Sequence, residues 1–403
     1  MNQVAALGLI LLVSLLAGHL VKFARIPEVT GYILAGLLLG PSGLGWIGKD
    51  NVAGLTIFSE VALGLILFSI GSIFQFQRFR SIRQNVVKVT LIDAGLVFVL
   101  ITGTMLLLRQ GLQVSLILGV IAIETAAAST LMVLREYNAS GPLTENLIGM
   151  IAINNVVCLT AFSLLVSLIT VSESWSHASG GLMTAIYRPV FLLVWQLVGS
   201  VALGYLIGVL LSSWATKVVE HGETLILLIG CLLLCIGLAV YLELSTLVTS
   251  LTIGATAANF SRHSRRLSEV QSRMDPPLYA IFFVIAGANL HVGLLKTLGV
   301  VGVAYVIARG IGKYLAANFG GRLTDIPETA RRGLRYSTLP HAGLAIGLVL
   351  SLKDQLPQLE ATVSTVVLAA ILVYELIGPL STRMALVRSG EVHARTAEAE
   401  ELS

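Results

Sequence analysis

The sequence predicts an all-α polytopic membrane protein of about 13 transmembrane helices, each needing about 20 apolar residues. Three observations carry the prediction. Lys plus Arg number 26 and Asp plus Glu 22 in 403 residues, so 12% of the chain is charged, roughly half the share of a soluble domain. Hydrophobic residues make up 56% and mean hydropathy is +0.88, which leaves too little polar surface for a water-soluble body and excludes a disordered chain. Apolar runs bounded by Gly, Pro or charge recur along the whole chain.

Taken in order, the runs fall at 4–21, 28–46, 52–74, 86–108, 113–134, 143–171, 188–213, 223–240, 243–260, 276–291, 295–320, 330–352 and 360–382. The first lacks a basic leader and ends in Lys22 and Arg25, which reads as a retained helix and not a cleaved signal. The second, ninth and tenth are short, and only Tyr241, Leu242 and Glu243 part the eighth from the ninth. The ends of the odd spans collect the basic residues. Arg78, Arg80 and Arg83 follow the third, Arg135 the fifth and Lys217 the seventh. Arg262, Arg265, Arg266 and Arg273 follow the ninth, Arg322, Arg331, Arg332 and Arg335 the eleventh, and Arg383, Arg388 and Arg395 the last. The opposite loops hold only Lys49, Arg109, Arg188, Lys296 and Lys353. This asymmetry predicts a bacterial-type inner-membrane protein with the N-terminus outside and the C-terminus cytoplasmic. Residues 1–388 form the transmembrane domain and 389–403 a short, polar, mobile tail.

The net charge of +4 and pI near 9.0 follow from these loops and do not indicate nucleic acid. Cys158, Cys231 and Cys235 all lie in apolar runs and suit neither a disulfide framework nor a metal centre. No phosphate loop, Ser–His–Asp set or metal-ligand spacing occurs in a loop long enough to hold a site, which argues against an enzyme or a resident cofactor.

Polar groups at membrane depth are costly and are therefore site candidates. They are Glu60, Lys88, Asp93, Glu124, Asn154, Asn155, Arg309, Lys313, His341 and Glu375, with Pro340 as a helix breaker. Glu124 lies near the centre of its span and is followed by Thr125, Ser129 and Thr130. A mid-span carboxylate must be protonated or paired. A Pro in a span frees backbone groups that can meet an ion. The plainer readings are an interfacial Lys88, a snorkelling Lys313, and Asn154 and Asn155 as contacts between helices.

Seven stretches, each weak alone, form an ordered set. They are Ile26 to Gly36 ending in Gly40-Pro41, Glu60 with Phe68 to Gly71, and Arg135-Glu136-Tyr137 with Gly141-Pro142-Leu143-Thr144. Phe282-Phe283 with Ala286-Gly287-Ala288, Arg309 with Gly312-Lys313, Leu339-Pro340-His341-Ala342-Gly343, and Glu375 with Gly378-Pro379 complete the set, in order from about residue 26 to residue 391. Together they resemble the monovalent cation:proton antiporter-2 family, the sodium/hydrogen exchanger-like membrane domain. The resemblance implies an inverted-repeat antiporter with a dimer domain and a mobile core domain. Spans two to six and nine to thirteen would be the repeats, and spans five and twelve the broken, crossing helices. It further implies a homodimer exchanging sodium or potassium for protons, with no cofactor and no metal beyond the transported cation. Members gated by a C-terminal nucleotide-binding domain exist; here the chain stops soon after the last span, so such control is expected only from a separate subunit.

The sequence departs from the family where its transport acid is expected. The family's Asp-Asp, Asn-Asp or Gln-Asp of span six is Asn154-Asn155 here, and its Thr-Ala-Pro-Ala run of span five is Thr125-Ala126-Ala127-Ala128. Arg309 and Lys313 would then lack an acid, and an unpaired buried charge costs several kcal/mol, of order 3–5. Glu124 restores one negative charge. It is therefore expected to carry the cation with Thr125, Asn154 and Asn155 and to exchange it for a proton. Arg309 and Lys313 would be its charge partners, and Glu60, Asp93, Ser129, His341 and Glu375 accessories. The alternative is a non-exchanging member: a passive ion conduit, a carrier of another solute, or a membrane sensor or assembly subunit.

Overall fold

The computed structural model describes residues 2–24, 26–48, 54–73, 76–175, 182–218, 220–261, 264–290, 293 and 299–392. Every regular element among them is helical. In order these are α1 (Gln3–Phe23), α2 (Glu28–Leu39), α3 (Thr56–Ile73), α4 (Phe76–Leu107), α5 (Leu112–Ile121), α6 (Ala127–Glu136), α7 (Pro142–Trp175), α8 (Leu182–Trp214), α9 (His221–Tyr241), α10 (Thr246–Phe260), α11 (Ser264–Ala288), α12 (Gly299–Arg322), α13 (Glu328–Ser337), α14 (Gly343–Gln355) and α15 (Pro357–Ser389). Segments of α1, α4, α7, α8, α9, α12 and α15 are long and apolar enough to cross a membrane. On α1, Leu12, Leu15, Leu16 and Leu20 are exposed, an apolar face suited to lipid and not to water.

Several boundaries differ from those expected, each for a local reason. α2 stops at Leu39 and not near residue 46, because Gly40-Pro41 cannot continue the helix and the chain turns through residues 40–44. α11 starts at Ser264, well before the expected Pro276, since Leu267, Val270 and Gln271 bury one stripe of its polar first half. The narrow division at Tyr241–Glu243 is a true break. Glu243 takes a left-handed backbone (φ 56°), and the Ser245 hydroxyl accepts the Val248 N–H at 3.3 Å to start α10. The expected mobile tail begins too early: α15 runs to Ser389, closes on a left-handed Gly390 (φ 73°), and leaves Glu391 buried.

The chain divides into two compact units, with α1, α2, α4 and α8 each contributing to both. The first comprises Met1–Leu16, Ala35–Ser81 and Val190–Asn289. In it α3 and α10 meet backbone to backbone. A Cβ on Gly71 would lie 2.0 Å from the Leu251 carbonyl oxygen, and one on Gly254 2.0 Å from that of Phe68. Phe68, Leu211, Leu228, Ile253 and Leu267 form its core together with Cys231 and Cys235, whose free thiols pack as small apolar groups.

The second unit comprises Ala17–Leu34, Ile82–Pro189 and Leu290–Ser403. Here α15 packs on α5, α6, α7, α12, α13 and α14. Two stretches at the depth of this bundle are not helical: residues 122–126, between α5 and α6, and residues 338–342, between α13 and α14. The second contains Pro340. The first breaks with no proline, because its carbonyls find side-chain partners instead of continuing a helix. The two stretches touch, the Ala126 N–H donating to the Pro340 carbonyl at 3.0 Å. Gly378 on α15 lets this crossing pack closely, as a Cβ there would come 2.8 Å from the Pro340 Cα.

Candidate functional site

Every candidate residue with a described side chain lies in the second unit; Glu60 lies on α3, at a position where the backbone alone is described, and so falls outside the described side chains. α12 supplies the two cations. Arg309 and Lys313 are four residues apart on one helix face and fully buried. The Arg309 guanidinium donates from Nε to the Ala122 carbonyl (3.1 Å), from Nη1 to Leu339 (2.8 Å), and from Nη2 to Glu124 (2.6 Å) and Pro340 (3.4 Å). Its plane lies over the Tyr374 ring, 4.6 Å from the centroid. Arg309 thus ties both breaks together. Its donors meet carbonyls just beyond the C-terminal ends of α5 and α13, where the helix dipole favours a positive charge.

Lys313 uses all three of its N–H groups. They go to the Asp93 carboxylate (Oδ2, 2.7 Å), the Ile123 carbonyl (2.7 Å) and the Thr125 hydroxyl (3.0 Å). Its acid is therefore Asp93, and both side chains of the pair are fully buried. Asp93 sits within the buried stripe Val86, Val89, Thr90, Val97 and Ile101 of α4. Asn154 on α7 joins the pair, its Nδ2 donating to Asp93 Oδ2 (2.9 Å) and to Thr125 Oγ1 (3.4 Å). A carboxylate only accepts, so the amide nitrogen must face Asp93 and Asn154 Oδ1 must face away. Thr125 Oγ1 accepts from both Lys313 and Asn154, which engages both its lone pairs. Three buried oxygens here have no hydrogen-bond partner: Asp93 Oδ1, Asn154 Oδ1 and Asn155 Oδ1.

Glu124 makes a different contact. Its Oε2 lies 2.6 Å from His341 Nδ1, with both side chains buried. His341 Nε2 lies 3.4 Å from the Tyr305 hydroxyl. The expected grouping of Glu124 with Thr125, Asn154 and Asn155 is thus divided: its backbone carbonyl holds Arg309, while its carboxylate turns to the other break. Ser129 on α6 donates to Glu375 on α15 (3.2 Å), joining two of the accessory candidates, and both are buried. Lys88 is exposed on α4 and takes no part.

Three contributors escape the sequence reading. Tyr305 and Tyr374 are aromatic residues in apolar spans with nothing local to mark them. Glu391 is the third. Its carboxylate accepts the Leu143 N–H (2.6 Å), the Thr144 N–H (2.8 Å) and the Thr144 hydroxyl (2.8 Å), capping the start of the helix that carries Asn154. Asp93, expected only as an accessory, had a signal in the charge count: two buried cations call for two acids.

Comparison with known proteins agrees with this architecture. The family model described as sodium/hydrogen exchanger, transmembrane, matches residues 8–388. Among curated relatives, the ammonium/proton antiporter subunit AmhT of Alkalihalophilus pseudofirmus is 26% identical over 320 residues, 78% of this chain and 77% of that protein. A sodium/proton antiporter of Enterococcus hirae is 24% identical over 333 residues, 79% of this chain and 82% of that one. Among solved structures, one of the sodium proton antiporter MjNhaP1 from Methanocaldococcus jannaschii superposes with a TM-score of 0.78 at 15% identity, covering 97% of this chain and 99% of that chain. That likeness speaks to the fold. The match to the family model, running through nearly the whole chain, places the protein in the membrane among transporters: it belongs to the sodium/hydrogen exchanger family of transmembrane antiporters.

Proposed function

We propose that the chain exchanges a monovalent cation, sodium or potassium, for a proton by alternating access, with Glu124 supplying an acid that Asn154-Asn155 lack. The observation that carries this reading is the contact of Glu124 with His341 across two adjoining helix breaks, 2.6 Å apart and sealed from solvent. A carboxylate cannot donate, so at least one proton lies between the pair. Glu124 holds or releases the exchanged proton there. A cation bound near Asn154 adds the same unit of charge to the same buried core. Holding both at once costs more than holding either, because buried charges are poorly screened. That mutual exclusion is what exchange requires. The core domain would move against the dimer domain of a homodimer, with the N-terminus outside and the C-terminus cytoplasmic, as the loop charges support.

The test is dye-reported proton flux in proteoliposomes, driven by sodium, potassium or ammonium. Cation-driven flux in the unaltered protein that is lost in Glu124→Gln supports the assignment. Flux that survives Glu124→Gln removes Glu124 from the cycle. The second reading, a member that no longer exchanges, rests on the uncharged Asn154-Asn155 pair and predicts no cation-driven proton flux at all.

A further inference from the structure

We propose that the transported cation is held by Asp93 on α4 together with Asn154 and Asn155 on α7, so that the coordinating acid stands on a different helix from the one that bears it in the family. The inference rests on the exchange reading and adds the cation's own site to it.

The argument begins from unsatisfied oxygens. A buried polar atom without a partner is costly, and native proteins keep few of them. Here three fall on one short stretch of α7 and on the side chain hydrogen-bonded to it: Asp93 Oδ1, Asn154 Oδ1 and Asn155 Oδ1. All three are acceptors. Asp93 and Asn154 are fully buried, so bulk water does not account for them. A carboxylate and amide oxygens are the ligands hard cations prefer. The two nitrogen donors that reach Asp93 are already committed. Lys313 spends its three N–H groups on Asp93 Oδ2, Ile123 and Thr125, and Asn154 spends its amide on Asp93 and Thr125.

The arrangement also explains Lys313. By holding Oδ2, the ammonium leaves Oδ1 directed elsewhere and fixes the carboxylate's rotation. Its charge repels a cation on the other oxygen, which keeps binding weak enough for release, as transport demands. Thr125 has no lone pair left for a cation and serves as a positioning residue that holds Lys313 and Asn154 in place. Glu124, whose carboxylate lies on His341, is not needed as a ligand.

The experiment uses the full chain purified in detergent and reconstituted in vesicles. The unfolding temperature is measured in sodium or potassium chloride against choline chloride at equal ionic strength, and the cation dependence of proton flux is measured alongside. The unaltered protein and Glu124→Gln are expected to gain stability from the cation, and Asp93→Asn to lose that gain. Asn155→Ala removes an oxygen that makes no hydrogen bond, so it should fold normally and raise the cation KM about tenfold with maximal flux retained. A folded Asp93→Asn that keeps the full cation-dependent gain overturns the assignment. If Asp93→Asn does not fold, an unaltered cation KM in Asn155→Ala overturns it instead. A cation-dependent gain that vanishes in Asp93→Asn, in a protein showing no proton flux, keeps the site and removes exchange. An unaltered protein showing neither flux nor gain removes both.

Discussion

Two buried polar clusters occupy the second unit, and they are built to opposite rules. Around Asp93, three positive N–H groups and an amide crowd onto a few acceptors, while three oxygens stay unpartnered. Around Glu124 and His341, the polar atoms are paired with one another and with Tyr305, and none of their atoms is among the unpartnered ones. The first suits a ligand that brings positive charge and no hydrogen of its own. The second suits a proton, which needs only a donor and an acceptor in line. On the proposed reading the two tasks fall to acids in different elements, Asp93 on α4 and Glu124 in the break after α5, and Arg309 joins the two breaks.

The largest expected effect separates the clusters most sharply. Lys313→Met leaves Asp93 buried and unpaired, and should cost about 3–5 kcal/mol of stability and abolish flux. Pairing it with Asp93→Leu should restore stability, since replacing both members of a buried pair by apolar groups is close to neutral, yet leave transport dead. Thermal unfolding and flux measured on the single and double variants check this. If the double variant transports, the Asp93 cluster is structural only. Next, Gly378→Ala pushes a Cβ toward Pro340, beside the His341 break. It should cost roughly 1–3 kcal/mol by overpacking and slow proton flux while cation-dependent stabilisation persists. A parallel loss of both would mean that the clusters are not separable. Smaller again, His341→Gln keeps a donor for Glu124 and should cost about 1 kcal/mol. It should move the pH dependence of flux and leave the cation KM alone; a changed KM with a fixed pH profile would reverse the roles given to the two clusters. Smallest, Glu391→Ala removes the cap of α7 at a cost of about 0.5–2 kcal/mol, read by unfolding temperature with flux largely kept.

Much of the fold was legible because spacing and composition act locally. Apolar runs marked where helices lie, and Pro340 marked one break by chemistry that any reader of the chain can see. The break at 122–126 carries no such mark, since it is held open by Arg309 and Lys313, which stand far away in sequence. The site candidates were found by their cost in hydrocarbon, which is a property of each residue alone. Their pairing was not found, because the partner of Lys313 is 220 positions away and Glu124 offered a nearer answer to the same charge deficit. Glu391 was read as tail because its neighbours are polar. Only the free N–H groups at the start of α7 explain why it is buried.

The most direct measurement of the central claim is equilibrium binding of radiolabelled sodium, or rubidium in place of potassium, to the purified chain and to two variants. The account predicts that the unaltered protein and Glu124→Gln bind the cation and that Asp93→Asn does not. Binding kept by a folded Asp93→Asn and lost in Glu124→Gln would contradict it.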